Sequence, residues 1–160
     1  MADQRCELLE QFNRQTRRAD AIYHRAAAHF NQSDCVNWLL YALLDERRSY
    51  SQQDLCGEWM YTKQTINSAV RALQEKGYVT LESAPDNRRR KLVCLTEAGR
   101  AYALATGGQV YQAETRAISR LGEEKMAELV RLTEEHLTCL EEEINRMIAN
   151  TPPETEEKAK

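Results

Sequence analysis

Lys63, Gln64, Asn67, Ser68 and Arg71 fall at three- and four-residue spacings, which places all of them on one face of a helix. Amide side chains suit the edge of adenine and a guanidinium suits guanine. Hydroxyl and ammonium groups suit phosphate oxygens. No Asp or Glu interrupts this face. A second group follows about twenty residues later, where Arg88, Arg89, Arg90 and Lys91 form an unbroken cationic run. The preceding Ser83-Ala84-Pro85-Asp86-Asn87 is rich in turn formers, so the cations belong at the tip of a hairpin, where they can enter a minor groove. Either group alone is what any solvated surface can show. Their succession at short spacing, between elements of the right kind, is what carries weight.

Those elements can be read from local signals. Ser51 and Asp54 have the spacing of a capping box, so a short helix begins near Gln52, with Leu55 and Trp59 on its inner face. Thr62 is placed to cap a second helix running from about Lys63 to Lys76. In that helix Ile66, Ala69, Val70 and Leu73 make the buried stripe. Gly77 can take the positive φ that ends a helix. Residues 78–82 then alternate like a half-buried strand, and residues 91–95 read as the antiparallel return. Thr96 caps the next helix, with Glu97 in its first turn. The expected fold is mostly α with a small β-hairpin wing, a winged helix-turn-helix flanked by N- and C-terminal helices.

Charge by segment agrees with this plan. Residues 1–60 carry −2, 61–91 carry +4, 92–140 carry −2 and 141–160 carry −3, within a chain of net charge −3. Only the proposed reading helix and wing are basic, as expected of one face that meets a polyanion.

Other classes are disfavoured. No apolar run reaches the length of a membrane span, and Met1-Ala2-Asp3-Gln4-Arg5 lacks a signal-like apolar segment, so a cytoplasmic protein is expected. The five cysteines, Cys6, Cys35, Cys56, Cys94 and Cys139, are odd in number, widely spaced and without a CxxC pair, which argues against a disulfide framework or a zinc knuckle. His24, His29, Cys35 and His136 match no tight metal-ligand spacing. There is no phosphate-cradling glycine loop, HExxH or nucleophile elbow, so neither an enzyme nor a cofactor is expected.

The flanks are helical. Residues 7–30 carry an imperfect apolar stripe among arginines, and residues 35–44 hold Val36, Leu39, Leu40, Leu43 and Leu44. Glycines follow Thr106 and Leu121, which predicts breaks there. From Met126 to Ile148 an apolar seam runs at alternating three and four spacing on a long helix, and such a seam calls for a partner surface. The organisation expected is an N-terminal dimerisation helix over 1–32, a DNA-reading domain over 33–100, C-terminal dimerisation helices over 101–150 and a disordered tail over 151–160. A two-fold homodimer built from both chain ends is the economical assembly.

Residues 63–67 (Lys-Gln-Thr-Ile-Asn) with Leu73, then Lys76-Gly77-Tyr78-Val79, residues 86–91, and Leu95-Thr96-Glu97-Ala98-Gly99 together resemble the MarR family of bacterial and archaeal transcription regulators. The resemblance covers most of the chain, and its central motifs are more specific than the flanking helices, which match in layout. It implies a dimeric regulator, usually a repressor, whose recognition helices enter successive major grooves of a pseudo-palindromic operator while the wings reach the flanking minor grooves. It assigns recognition-helix roles to Thr62, Lys63, Gln64, Thr65, Asn67, Ser68 and Arg71, a phosphate contact to Gln52, and the wing role to Arg88, Arg89, Arg90 and Lys91. From the residues alone, Gln64 and Asn67 or Ser68 suit bases, and Lys63 and Arg71 suit phosphates.

One departure concerns the wing. The family's Asp-x-Arg pair, counted back from Leu-Thr, falls here on Asn87 and Arg89, while Asp86 and Arg88 form such a pair one residue early. Which arginine enters the groove is therefore open. The resemblance further implies release by a small aromatic or amphipathic effector, for which Tyr23, Phe30, Trp38 and Tyr41 are candidates against ordinary core packing. Cys6, beside Arg5, is a candidate redox sensor of the kind some relatives use. A winged helix that meets only protein is the rival reading, although such a module has no reason to keep this face free of acids.

Overall fold

The computed structural model describes residues 2–151; the expected tail lies, from Pro152 onward, outside them. Among the described residues seven helices and one hairpin follow in the order α1 (Ala2–His29), α2 (Asp34–Leu43), α3 (Gln52–Trp59), α4 (Lys63–Glu75), β1 (Val79–Ser83), β2 (Lys91–Leu95), α5 (Glu97–Ala105), α6 (Gly107–Leu121) and α7 (Glu123–Asn150). They form two compact units, Met1–Ala113 and Glu114–Lys160.

In the first unit each helix of the reading region starts on a side-chain cap. Ser33 Oγ accepts from Val36 N at α2, Thr62 Oγ1 accepts from Thr65 N at α4, and Thr96 Oγ1 accepts from Gly99 N at α5. At α3 the Ser51–Asp54 capping box is complete in both directions, as the spacing predicted. α4 ends in a Schellman arrangement: Tyr78 N donates to Leu73 O and Gly77 N to Gln74 O, with Gly77 at φ +72°. Between α3 and α4 the chain turns through Met60, which takes left-handed φ 52° and ψ 26° although it is not a glycine.

Leu39, Leu40, Leu55, Ile66, Val70 and Leu73 are almost wholly buried and bring α2, α3 and α4 onto one core, which Val79 and Val93 of the hairpin complete. β1 and β2 pair antiparallel with Val79 opposite Leu95 and Ser83 opposite Lys91. A third extended segment joins them, since Ser51 bridges Leu92 and Val93 N donates to Tyr50 O at 2.8 Å. At the hairpin base Thr96 Oγ1 donates to Gly77 O at 2.7 Å. The α5 turn lies so close that a Cβ on Gly99 would sit 1.7 Å from Tyr78 O, so the position admits only glycine.

The break expected near Thr106 is present: Thr106 leaves helical geometry at φ −121°, ψ −85°, and α6 starts on Gly107. A Cβ on Gly107 would meet Tyr41 N at 3.2 Å, so the glycine lets α6 start against the α2 backbone. On α1 the large apolar side chains Leu8, Leu9, Phe12 and Ile22 are exposed.

In the second unit Gly122, at φ +97°, separates α6 from α7 as expected. α7 has no buried residue, and Leu129, Leu137, Leu140 and Ile144 of its seam are exposed. Arg131 bridges Glu128 and Glu135 along the polar side, the i,i+3 and i,i+4 pairing that supports an exposed helix. No helix among the described residues is long and apolar enough to cross a membrane.

Candidate nucleic-acid interface

The burial of Ile66, Ala69, Val70 and Leu73 turns the other side of α4 outward. Thr62, Lys63, Gln64, Thr65, Asn67, Ser68 and Arg71 are all exposed on it. Three of them already have intramolecular partners. Thr65 Oγ1 lies 2.8 Å from Thr62 Oγ1 at the cap, and Arg71 Nε lies 3.4 Å from Glu75 Oε1 one turn on. Lys63, Gln64, Asn67 and Ser68 are the side chains of this face whose polar groups make no hydrogen bond or ion pair among the described residues. Gln52, in the first turn of α3, is half-buried.

The hairpin loop is closed by Ala84 N donating to Arg90 O at 2.9 Å, with Arg90 N donating to Asn87 O at 2.9 Å inside it. Asn87 Oδ1 accepts from Arg89 N at 3.0 Å. A carboxylate at that position could accept the same bond, so Asn87 supplies the turn-holding acceptor here.

The four cations are not equivalent. Arg88 and Arg89 are exposed and have no side-chain partner among the described residues. Lys91 Nζ donates to Ser83 Oγ at 2.7 Å across the strands. Arg90 Nη2 lies 2.9 Å from Asp54 Oδ2, on the first turn of α3. The Asp54 carboxyl is held down at about 2, first by the Ser51 backbone N–H, then by Arg90 and the Ser51 hydroxyl. Sequence spacing could not disclose this pair, because its members are 36 residues apart and meet only once the hairpin folds back.

The aromatic candidates separate. Tyr23, Trp38 and Tyr41 gather, with ring centroids 4.7 Å apart for Tyr23 and Trp38 and 5.6 Å for Trp38 and Tyr41. Phe30 instead packs edge-on to His29 at 5.0 Å. A cavity of about 640 Å³ opens within the first unit, lined by Tyr41, Leu44, Arg47, Arg100, Leu104 and Tyr111 among others. Only Tyr41 of the four candidates reaches it. Arg47 and Arg100 were missed by sequence reading; the Asp45-Glu46-Arg47-Arg48 run after α2 was the available signal. Both are held at its wall by carboxylates, Arg47 by Asp45 at 2.8 Å and Arg100 by Glu46.

Cys6 is exposed on α1. Cys35 is buried, and desolvation pushes its thiol up to about 11, which leaves it protonated and a poor nucleophile. Among the described residues no three His, Cys, Asp or Glu side chains are grouped to hold a metal ion.

A capped helix, a turn, an outward polar helix and a hairpin tipped with arginine define the winged helix-turn-helix class. Residues 38–90 match the sequence model of the MarR family. Solved structures share the fold over most of both chains. NMB1585, a MarR family regulator from Neisseria meningitidis, aligns with TM-score 0.74 and 20% identity over 87% of this chain and 97% of that one. MepR from S. aureus in its DNA-binding conformation aligns with TM-score 0.68 and 19% identity, over 83% and 98%. The S. aureus MepR–DNA complex aligns with TM-score 0.63 and 19% identity, over 83% and 97%. A search of curated protein sequences gives no match.

Proposed function

We propose that this protein is a non-catalytic, sequence-specific DNA-binding transcription regulator, a homodimeric repressor released by a small-molecule effector. The observation that carries the reading is the outward face of α4, free of acids from Lys63 to Arg71 and set beside a hairpin whose Arg88 and Arg89 have no side-chain partner among the described residues, within the one basic segment of an acidic chain. In the neighbours this fold is that of MarR regulators, one of them solved as a DNA complex. Lys63 and Arg71 take phosphates, and Gln64, Asn67 and Ser68 read base edges.

The dimer follows from apolar helices left uncovered. On α7, Leu129, Leu137, Leu140 and Ile144 are each 42% or more exposed along one seam, an exposure that association removes. A cavity walled by Tyr41, Tyr111, Leu44 and Leu104, with the Arg47–Asp45 pair at its edge, suits a small aromatic or amphipathic effector.

Selection from a randomised duplex pool, followed by anisotropy at several salt concentrations, tests the reading. A two-fold motif with half-sites about 34–36 Å apart and a steep salt slope is expected. Failure to enrich any duplex would move the assignment to a winged helix that meets protein. Light scattering tests the dimer. Screening small aromatic and amphipathic compounds for release of the selected duplex tests the effector. Loss of DNA binding with peroxide that Cys6→Ser fails to prevent would exclude Cys6 as a sensor.

A further inference from the structure

We infer that Arg90 is a positioning residue that sets the tilt of the wing by bracing it on Asp54, leaving Arg88 and Arg89 as the wing groups that meet DNA. The inference rests on the DNA-binding reading above and divides the arginine cluster into two roles.

Asp54 is an anchored partner, not a loose surface carboxylate. Its Oδ2 accepts from Ser51 N at 2.7 Å and from Ser51 Oγ at 2.8 Å, so the cap has fixed the carboxylate before Arg90 reaches it. Arg90 then adds Nη2 to the same oxygen at 2.9 Å. An ordinary exposed ion pair loses most of its attraction to the ordering of two long side chains; here one partner is already ordered.

The place of the pair matters as much as its strength. The hairpin is tied to the segment before α3 partway along β2, by the Ser51–Leu92 bridge and by Val93 N to Tyr50 O. Arg90 is a second tie, nearer the tip and on a side chain. Two ties at different heights fix a direction, whereas one leaves a pivot. Beyond the second tie only the loop projects, with Asn87 shaping the backbone at Arg89.

The alternative role for Arg90, a direct phosphate contact, makes the opposite prediction at Asp54. If Arg90 had to leave Asp54 to reach DNA, removing the Asp54 charge would free it and would also remove an acid near the phosphates, so Asp54→Asn would tighten binding. A brace predicts that Asp54→Asn weakens binding. Asparagine keeps an oxygen able to accept from Ser51 N, so the helix cap survives the test.

The experiment measures anisotropy on the selected duplex across salt concentrations for wild type, D54N, R90Q, the double variant and R89Q. Expected are losses of roughly fivefold for D54N and for R90Q, no further loss in the double variant, and unchanged salt slopes for all three. R89Q, by contrast, should flatten the slope by about 0.9. Tighter binding by D54N, or a slope flattened by about 0.9 in R90Q, overturns the brace. Hydrogen exchange on the DNA-free protein gives an independent reading: the Ala84 and Arg90 amides should exchange faster in D54N and R90Q than in wild type, and unchanged exchange overturns it. If wild type selects no duplex, the DNA-binding reading fails, while the exchange result still decides whether Arg90 braces the wing.

Discussion

The indoles of Trp38 and Trp59 are stacked, with centroids 4.7 Å apart and planes 18° from parallel. They are the only two tryptophans of the chain. Trp59 ends α3 and Trp38 lies on α2 with Tyr23 and Tyr41 against it, so the first helix of the reading motif is held to the helix below through an aromatic stack. The stack leaves one polar group wanting: Trp59 Nε1 is buried with no acceptor among the described residues. Trp59→Phe removes that donor along with part of the ring, two effects of opposite sign, and stability should change by no more than about 1 kcal/mol. Trp59→Ala loses the ring outright and should cost about 3 kcal/mol. Urea unfolding followed by Trp38 emission measures both; a loss for Trp59→Phe as large as for Trp59→Ala would contradict this account of the stack.

Met60 predicts a gain. Its side chain is 89% exposed, so almost no packing depends on it, yet its backbone sits in the left-handed region. Glycine takes that conformation without the Cβ conflict, and Met60→Gly should raise stability by about 0.5–1 kcal/mol after allowing for glycine's larger unfolded-state entropy. A urea midpoint below that of wild type would contradict this account of the turn.

Acid should act on Asp54. Its folded pKa, about 2, lies below the roughly 3.9 of an unperturbed aspartate, so the folded state favours the charged form. The stability it contributes is present in full above about pH 4 and is lost as pH falls toward 2. Asp54→Asn should therefore show a shallower decline of urea midpoint between those pH values. A decline parallel to wild type would place the acid sensitivity elsewhere.

Arg89→Ala should weaken binding to every duplex by a similar factor and flatten the salt slope by about 0.9, the signature of one lost phosphate-region contact. Asn67→Ala should instead change which base is preferred at one position, with little effect on slope. Competition anisotropy with single-base variants of the selected duplex separates the two. An Arg89 variant that altered base preference alone would reverse the roles assigned to wing and helix.

What was legible in the sequence was local. The Ser51–Asp54 box, the Thr62 and Thr96 caps and the Gly77 stop each involve residues within a few positions of one another, and each is found in the structure. Residues 91–95 were placed as β2 to the residue, whereas β1 starts one residue later than expected because Tyr78 N is spent on the α4 stop. The Arg90–Asp54 pair and the Ser51–Leu92 bridge depend on the path of the whole hairpin. Met60 was missed for another reason: no Gly or Asn marks the left-handed turn. The cavity is assembled from α2, the loop after it, α5 and α6, so single-helix periodicity pointed to Tyr41 but could not collect Arg47, Arg100 and Tyr111 beside it.

At the junction of α4, the hairpin and α5, Thr96 Oγ1 bonds Gly77 O, Thr96 N bonds Tyr78 O, and Gly99 rests on the Tyr78 carbonyl with no space to spare. This knot removes slack between the helix that the proposed function offers to a major groove and the loop that it offers to the adjoining minor groove. A duplex bound by both must bring its two grooves to the protein's fixed spacing. Sequences whose twist and groove width already match need little deformation, and stiff mismatched ones need more. On the proposed function the junction would work as a calliper, discriminating among base steps that no side chain touches.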